Sequence, residues 1–315
     1  MPRALMEGMI EDIRSWGRPL EQDIGTDRPE ARGADLAEGI REDFLPRRAA
    51  DVEDAIRTAA ATEILPRFRR LADHEIEQKS GPHDLVTDAD RLAERHLTGA
   101  LAALLPGSVV VGEEAVHADP ATYEAIRGDA PVWIVDPVDG TRQFVRGEPG
   151  FCTLVALAHR GVLLASWTYA PALGLLATAV RGRGAFLDGE RLLAGAPTAG
   201  QDLRVATSHP DYTTDEEKRA LLGLWTQGVA PRACGSAGLE YLAMARGELD
   251  STVFTWEAAW DHAAGLLLVE EAGGIHRTLT AEPFRITGGN ALPFTTARDA
   301  ATADRVTELL RGIRH

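Results

Sequence analysis

Apolar residues recur along this chain with two different periods, and each period predicts a different kind of element. From Asp51 to about Ala72, apolar positions fall three or four residues apart, which predicts a helix. Asp88 to Leu105 repeats this spacing and is followed by Pro106-Gly107, so a second helix is expected to end there. A strongly apolar helix is predicted from His262 to Glu271, because Gly273-Gly274 follows it.

Short apolar runs bounded by turn residues predict strands. Val109 to Val111 and Val132 to Val135 are two such runs, and each leads directly into acidic residues. Strands are expected to dominate from Phe151 to about Leu187. Further elements are a region of mixed strands and helices opened by Leu203 to Ser208, helices at Glu216 to Trp225 and Ala237 to Ala245, and a strand at Leu249 to Phe254. This mixture predicts a layered α/β architecture.

One uncharged stretch, Gly161 to Val180, is long enough to cross a bilayer. Pro171 and Gly174 interrupt it, and Ser166 and Thr168 add polarity. These interruptions favour two buried strands around a turn over a membrane helix.

Composition narrows the function classes. The chain has 33 basic and 48 acidic residues, a net charge of -15, which argues against binding a nucleic-acid polymer. An acidic protein can still bind a phosphorylated small molecule if metal ions bridge the two negative partners. Two cysteines, Cys152 and Cys234, are too few for a disulfide framework, so a reducing cytoplasm is expected. Charges from Arg3 to Arg14 interrupt any apolar signal core.

The sharpest local signal is Asp136-Pro137-Val138-Asp139-Gly140-Thr141, directly after an apolar strand. Two carboxylates three residues apart on a rigid turn can flank hard divalent cations. Gly140 permits a tight turn, and a helix starting near it would point free N–H groups at an anion. Alternatively, both aspartates only form a turn, since Pro-Asp-Gly sequences are common turn formers.

Three more acidic positions lie at predicted element ends. Glu113, with Glu114, follows a strand, and Asp261 precedes an apolar helix; taken alone, these would be a solvated loop and an N-cap. Several carboxylates at the ends of buried elements are together harder to explain by capping, because unpaired buried charges are costly. Asp90 falls in the first turn of its helix, where an acid usually only complements the helix dipole.

These residues resemble the inositol monophosphatase family, within the lithium-sensitive, metal-dependent sugar phosphatase superfamily. Trp133 to Thr141, followed by Phe144, is similar to the first family signature. Trp260 to Gly265, running on to Glu271-Ala272-Gly273-Gly274, is similar to the second. Also in family order are Lys79, Asp84 to Asp90, Gly112 to Glu114, and Gly182 to Phe186. The resemblance covers about residues 50 to 312.

The resemblance implies an α/β fold, the five-layer αβαβα sandwich of the sugar phosphatases. Residues 47–315 are expected to form the phosphatase domain, with a metal-site half at about 47–195 and a C-terminal half at about 196–315. Residues 1–46 are expected to be an N-terminal extension, partly helical or disordered, with a small oligomerisation arm as the alternative. A cytoplasmic homodimer is implied.

The resemblance also implies a metal site for two or three magnesium ions. Glu113, Asp136 and the carbonyl of Val138 resemble the ligands of the first ion. Asp136, Asp139 and Asp261 resemble those of the second. Inhibition by lithium is expected on the same ground.

Thr141 and Asp90 resemble the pair that orients and activates the attacking water, with Glu113 as a further catalytic residue. The N–H groups of Gly140 and Thr141 resemble the phosphate cradle. No phosphoenzyme is expected, because no Ser, Cys or His occupies an obvious nucleophile position.

Substrate choice is the open question. Gly235, Ser236 and Ala237 match the substrate-facing segment of the family. Where inositol-specific members carry a Glu that contacts sugar hydroxyls, this chain has Phe254, which either lines the pocket or points into the core; Glu257 is nearby and is a possible replacement. Inositol 1-phosphate or a related sugar phosphate is the first expectation, and histidinol phosphate or a nucleotide 3'-phosphate the alternative. A regulatory binding protein without turnover is the alternative of another class.

Overall fold

The computed structural model describes residues 36–79 and 83–312. The chain divides into two compact units, residues 1–50 and 51–315. In the first unit, residues 36–50 are helical, with a wider π-helical turn at Ile40–Phe44. The other residues of the expected N-terminal extension lie outside the described residues, so its disorder and its role as an oligomerisation arm stay predictions.

Helices and strands are numbered separately in chain order. The helices are α1 (Leu45–Ala59), α2 (Asp88–Leu104), α3 (Glu113–Ala118), α4 (Thr141–Val145), α5 (Asp215–Leu221), α6 (Ala237–Ala245), α7 (Ala259–Glu271) and α8 (Ala300–Arg311). The strands are β1 (Ile76–Gln78), β2 (Leu85–Thr87), β3 (Val109–Gly112), β4 (Pro131–Asp139), β5 (Cys152–His159), β6 (Val162–Ala170), β7 (Leu175–Val180), β8 (Gly184–Leu187), β9 (Glu190–Arg191), β10 (Leu203–Thr207), β11 (Val229–Ala233), β12 (Ser251–Phe254), β13 (Ile275–Thr278) and β14 (Phe294–Ala297).

Two sheets organise the second unit. The larger has the strand order β3-β4-β5-β6-β7-β8-β9, and the smaller has the order β11-β10-β12-β14-β13. Helix α2 packs on one face of the larger sheet, and α7 packs on its other face. Helices α6 and α7 also contact the smaller sheet, whose far side is covered by α8. The layers therefore alternate as αβαβα, which confirms the predicted fold.

Burial explains the apolar runs of the sequence. Every residue of β4 and β5 is buried, as expected for strands covered by helices on both faces. Helix α7 is buried around most of its circumference because it lies between the two sheets. The conspicuous apolar helix of the sequence is thus the central layer of the sandwich.

The element boundaries differ from the predictions at several ends. The first predicted helix stops at Ala59, continues as a π-helical turn over Ala60–Ile64 and then becomes turns, so its extension to Ala72 was wrong. Helix α7 begins three residues before His262. The uncharged stretch does form two strands, β6 and β7, around a turn, as predicted. Among the described residues, no helix combines the length and apolar character needed to cross a membrane.

Candidate metal centre and active site

Three carboxylates meet at the end of the larger sheet. Asp136, Asp139 and Asp261 each contribute an oxygen, and these oxygens lie within 4.8 Å of one another. The first two come from the C-terminal end of β4, where the pairing with β5 shifts register between them. Asp261 comes from the first turn of α7. Two elements distant in sequence therefore bring one acidic cluster together, as the sequence predicted.

Glu113 reaches the same cavity from the neighbouring strand. Strand β3 is parallel to β4, with Gly112 opposite Val135, so both strands end at the same edge of the sheet. Glu113 is the first residue of α3, and it lines the cavity beside Asp136. Its Oε1 accepts a hydrogen bond of 2.7 Å from Lys79 Nζ. This pairing fixes the side chain but leaves its other oxygen without a partner in the described part of the chain.

The electrostatics of the cluster favour a bound cation. Burial, followed by the charges of Glu113, Asp139 and Asp261, raises the pKa of Asp136 far above its ordinary value. The pKa of Asp261 is raised by burial and then by Asp139 and Glu113. Like charges held this close in a poorly solvated site must be protonated or neutralised. Because the oxygens that meet here belong to carboxylates, the set fits a hard divalent cation such as magnesium.

Asp139 is oriented by the N-terminus of α6. Its Oδ2 accepts hydrogen bonds from Ser236 Oγ at 2.6 Å and from the Gly238 N–H at 2.7 Å. Its Oδ1 accepts a longer bond, 3.2 Å, from the Ala237 N–H. These donors favour the ionised carboxylate and leave Oδ1 as the oxygen best placed to bind a cation.

Only part of the segment predicted to face the substrate, residues 235–237, lines the cavity. Gly235 and Ala237 line the cavity. Ser236 is buried, its hydroxyl donates to Asp139, and the same oxygen accepts from the Leu239 N–H at the start of α6. The Ser236 side chain therefore positions Asp139, and the expectation that this segment faces the substrate stays a prediction.

Asp90 and Thr141 also meet as expected. Thr141 Oγ1 lies 3.3 Å from Asp90 Oδ1 and 3.0 Å from the Val138 carbonyl oxygen. Asp90 Oδ2 accepts hydrogen bonds from the N–H and the hydroxyl of Thr87 at the start of α2. Asp90 therefore also stabilises the N-terminus of this helix. Burial, together with the charges of Glu113 and Glu114, raises the pKa of Asp90 to about 7. A carboxylate with that pKa can accept a proton near neutral pH.

Position 140 requires a glycine, both for its backbone conformation and because neighbouring atoms leave no room for a side chain. Its φ is 91°, in the left-handed region, and a Cβ there would lie 2.9 Å from the Gly150 carbonyl oxygen and 3.1 Å from Ser236 Cβ. The N–H groups of Gly140 and Thr141 have no hydrogen-bond partner among the described residues, and both residues line the cavity. They are available to oxygen atoms of an anion.

Phe254 does not line this cavity, so the alternative in which it points into the core is the one observed. The side chain is fully buried and packs against the rings of Tyr241, His262 and Phe294. Glu257 does not replace it either, because its carboxylate accepts hydrogen bonds from the N–H and side chain of Asn290. The aromatic residues that do line the cavity beside the cluster are Trp256 and Trp260, and Trp256 Nε1 donates to Asp261 at 2.7 Å.

Sequence reasoning missed Glu94, one turn after Asp90 on α2. Its two carboxylate oxygens accept the Glu114 and Ala115 N–H groups, each at 2.8 Å, and so hold the first turn of α3. A Cβ on Gly112 would lie 2.2 Å from the Glu94 carboxyl carbon, so Gly112 leaves the space that Glu94 fills. The i, i+4 spacing of Asp90 and Glu94 was the available signal.

A second missed set forms the outer wall of the cavity. Arg142, His209, Tyr212 and His83 line it, together with Asp84. The whole cavity measures about 280 Å³ and contains the acidic cluster at its inner end. None of these wall residues was assigned a role from the sequence.

The chain is similar in sequence and in fold to inositol monophosphatases. The sequence model of the inositol monophosphatase family matches residues 46–310. The inositol-1-monophosphatase of Rhizobium meliloti (strain 1021) is 40% identical over 202 residues, which are 62% of this chain and 72% of that protein. The fructose-1,6-bisphosphatase/inositol-1-monophosphatase of Thermotoga maritima is 34% identical over 202 residues, 64% of this chain and 73% of that protein. Among solved structures, a Thermotoga maritima IMPase superposes with a TM-score of 0.70 at 26% identity, covering 85% of this chain and 97% of that one.

Proposed function

The chain belongs to the inositol monophosphatase family, a family of phosphoric monoester hydrolases, and we propose that it hydrolyses a small phosphate monoester with bound magnesium. The observation that carries the proposal is the buried cluster of Asp136, Asp139 and Asp261, with Glu113 in the same cavity. A cluster this acidic requires cations before it can accept a phosphate group.

Two or three magnesium ions are proposed, held by these four carboxylates and the Val138 carbonyl. When bound, such ions lower the pKa of a coordinated water and stabilise the charge that develops on the phosphoryl and leaving oxygens. Asp136 is proposed as the shared ligand, because the charges of Glu113, Asp139 and Asp261 all raise its pKa.

The remaining residues orient the reactants. Thr141 is proposed to accept a proton from the attacking water while its own hydroxyl proton moves toward Asp90, 3.3 Å away. The free N–H groups of Gly140 and Thr141 are proposed to bind the phosphate oxygens, which fixes the phosphorus for attack.

The proposed substrate is inositol 1-phosphate or a related sugar phosphate, as the names of the relatives suggest. Residues 47–315 are proposed to be the catalytic domain, acting as a cytoplasmic homodimer that lithium inhibits. The non-catalytic alternative is disfavoured because the acids, the Asp90–Thr141 pair and the free N–H groups all meet at one cavity.

The test is phosphate release by purified protein from inositol 1-phosphate, with magnesium and with EDTA. Wild type and Asp215→Asn, which changes an exposed acid in the first turn of α5, should release phosphate only with magnesium. Asp136→Asn should lose activity by several orders of magnitude. Equal turnover in EDTA, or near-normal turnover by Asp136→Asn, would refute the proposal.

A further inference from the structure

The orientation of Asp261 depends on a single tryptophan. In the described part of the chain, the Trp256 indole is the one group outside the acidic cluster that donates a hydrogen bond to this carboxylate. Its Nε1–H donates to Asp261 Oδ2 at 2.7 Å, and both side chains line the cavity. Asp139, in contrast, accepts hydrogen bonds from three donors at the start of α6. Loss of one donor should therefore matter more at Asp261 than at Asp139.

The backbone of Trp256 is held by a buried histidine. His262 Nε2 lies 3.1 Å from the Trp256 carbonyl oxygen, which can only accept, so this nitrogen carries a proton and donates it. The other ring nitrogen, Nδ1, lies 2.9 Å from the Tyr241 hydroxyl oxygen. His262 and Tyr241 are both fully buried, so water does not compete for these hydrogen bonds.

Aromatic packing restricts the indole ring as well. The centroid of the Trp256 ring lies 4.5 Å from that of Phe254 and 5.1 Å from that of His262. Both neighbours are fully buried, and close-packed side chains leave little room for a ring to rotate. A rotation of the indole away from Asp261 would break these contacts. The N–H group is therefore directed at the carboxylate by its surroundings.

Helix α6 supports two of the three clustered aspartates. Its first turn donates to Asp139, and Tyr241 on the same helix contacts His262, the residue that follows Asp261. Gly265 leaves the space for this contact, because a Cβ there would lie 1.9 Å from Tyr241 Cδ2. One element thus fixes Asp139 directly and Asp261 through a chain of hydrogen bonds.

We propose that Trp256 is a positioning residue for the metal site: its indole N–H orients the Asp261 carboxylate, and Tyr241 and His262 hold Trp256 in place. The inference rests on the proposed metal site and names the support through which that site binds its cations. A ligand that is already oriented loses less conformational freedom when a cation binds, so the affinity for the cation is higher.

The test is a calorimetric titration of the metal-free protein with magnesium alone. Trp256→Phe keeps an aromatic ring at this position and removes the indole N–H. Trp225→Phe is the matched control, because Trp225 is 61% exposed and lies outside the cavity. Tyr241→Phe removes the hydroxyl that contacts His262. Circular dichroism establishes that each variant is folded at the temperature of the titration.

Trp256→Phe should weaken magnesium binding by about tenfold, as expected when the hydrogen-bond partner of a metal ligand is lost. Tyr241→Phe should weaken it by about threefold, because one hydrogen bond of the supporting chain is lost. Trp225→Phe should leave the affinity within about twofold of wild type. Equal affinity in wild type and Trp256→Phe would refute the role of Trp256. Equal affinity in wild type and Tyr241→Phe would refute the role given to Tyr241 and His262.

The indole hydrogen of Trp256 gives a readout that a general loss of stability does not mimic. The chain has six tryptophans, so the indole signals of isotope-labelled wild type can be assigned individually by NMR. The Trp256 hydrogen should exchange with water about tenfold or more slowly than that of the exposed Trp225. Its signal should move upfield in Asp261→Asn, because an amide oxygen is a weaker acceptor than a carboxylate. Exchange as fast as at Trp225, or a signal that Asp261→Asn leaves in place, would overturn the proposal even where Trp256→Phe does not fold.

Neither measurement requires turnover, which separates this inference from the proposed function. If Trp256→Phe binds magnesium more weakly than wild type but no phosphate ester is hydrolysed by either, the phosphatase proposal fails and the positioning role stands. If wild type releases phosphate and both proteins bind magnesium equally, the positioning role fails and the phosphatase proposal stands. In an active enzyme, saturating magnesium should restore kcat of Trp256→Phe to within about threefold of wild type. A loss of kcat that saturating magnesium does not restore would overturn a role that acts through Asp261.

Discussion

Asp136→Asn should make the metal-free protein more stable while it abolishes activity. The carboxylate is buried, and its oxygen lies within 4.8 Å of oxygens of Asp139 and Asp261. At that separation, with an effective dielectric constant of about 20, one pair of like charges costs about 3.5 kcal/mol. The wild type avoids part of this cost by protonating a carboxylate. That protonation costs about 1.4 kcal/mol for each unit by which the pH exceeds the pKa of the group. We therefore expect a gain of about 2–4 kcal/mol in the free energy of unfolding at pH 8 in EDTA.

The substitution preserves local geometry, so the change in charge dominates. The Val138 N–H donates to Asp136 Oδ1 at 3.0 Å, and an asparagine oxygen can accept the same bond. Asp215→Asn, on the surface at α5, is the matched control and should change the free energy of unfolding by less than about 0.5 kcal/mol.

The gain should depend on pH with a definite sign. Because folding raises the pKa of Asp136, its protonated form contributes stability that is fully present below the ordinary value of 3.8 and is lost as pH rises through the folded pKa. The wild type should therefore lose stability as pH rises above about 4, and the advantage of Asp136→Asn should grow with pH.

Urea unfolding followed by circular dichroism, at pH 5 and pH 8, in EDTA and in saturating magnesium, measures these differences. Magnesium should reverse the order, because it stabilises the wild type by binding the folded state and the variant much less. A variant that is equal to or less stable than wild type at pH 8 in EDTA would refute the idea that the cluster is strained by like charges.

Three further predictions concern other parts of the site. Glu94→Gln should weaken magnesium binding, measured by calorimetry, by about tenfold, because only one oxygen remains to hold the α3 turn that begins with Glu113; an unchanged affinity would show that Glu94 has no positioning role. Lithium at millimolar-order concentration should inhibit phosphate release, more strongly at saturating magnesium, and robust magnesium-dependent turnover that ignores lithium would contradict this expectation from the family. Phe254→Glu should destabilise the fold by about 3–5 kcal/mol, because it replaces a fully buried ring with a carboxylate; a stable variant with a changed substrate preference would instead mean that residue 254 reaches the pocket.

The meeting of the acidic residues at one cavity could be predicted from the sequence, because the residues follow or precede apolar runs. Asp136 ends the apolar part of β4 and Glu113 follows β3, and parallel neighbouring strands end at the same sheet edge. Asp261 precedes a helical run too apolar to be exposed, so its carboxylate had to lie where that layer meets the sheet end. In these three cases the burial pattern predicts that the acid lies at the end of a buried element.

The orientation of Phe254 could not be predicted in the same way. All four residues of β12 are buried, because the smaller sheet is covered by helices on both faces, so alternation along the strand does not separate a cavity-facing side from a core-facing side. Glu94 was missed for a related reason. It lies on the inner face of α2, and only its partners on α3, distant in sequence, distinguish it from a solvated surface acid.

Manganese offers the most direct test of whether the acidic cluster binds the metal ions that act on phosphate. Crystals grown with manganese in place of magnesium, with inorganic phosphate present, should give anomalous peaks at two positions. One should lie between Glu113 and Asp136, and one among Asp136, Asp139 and Asp261, with phosphate against Gly140 and Thr141. Manganese peaks confined to acids outside this cavity, with phosphate elsewhere or absent, would show that this cluster is not the metal site.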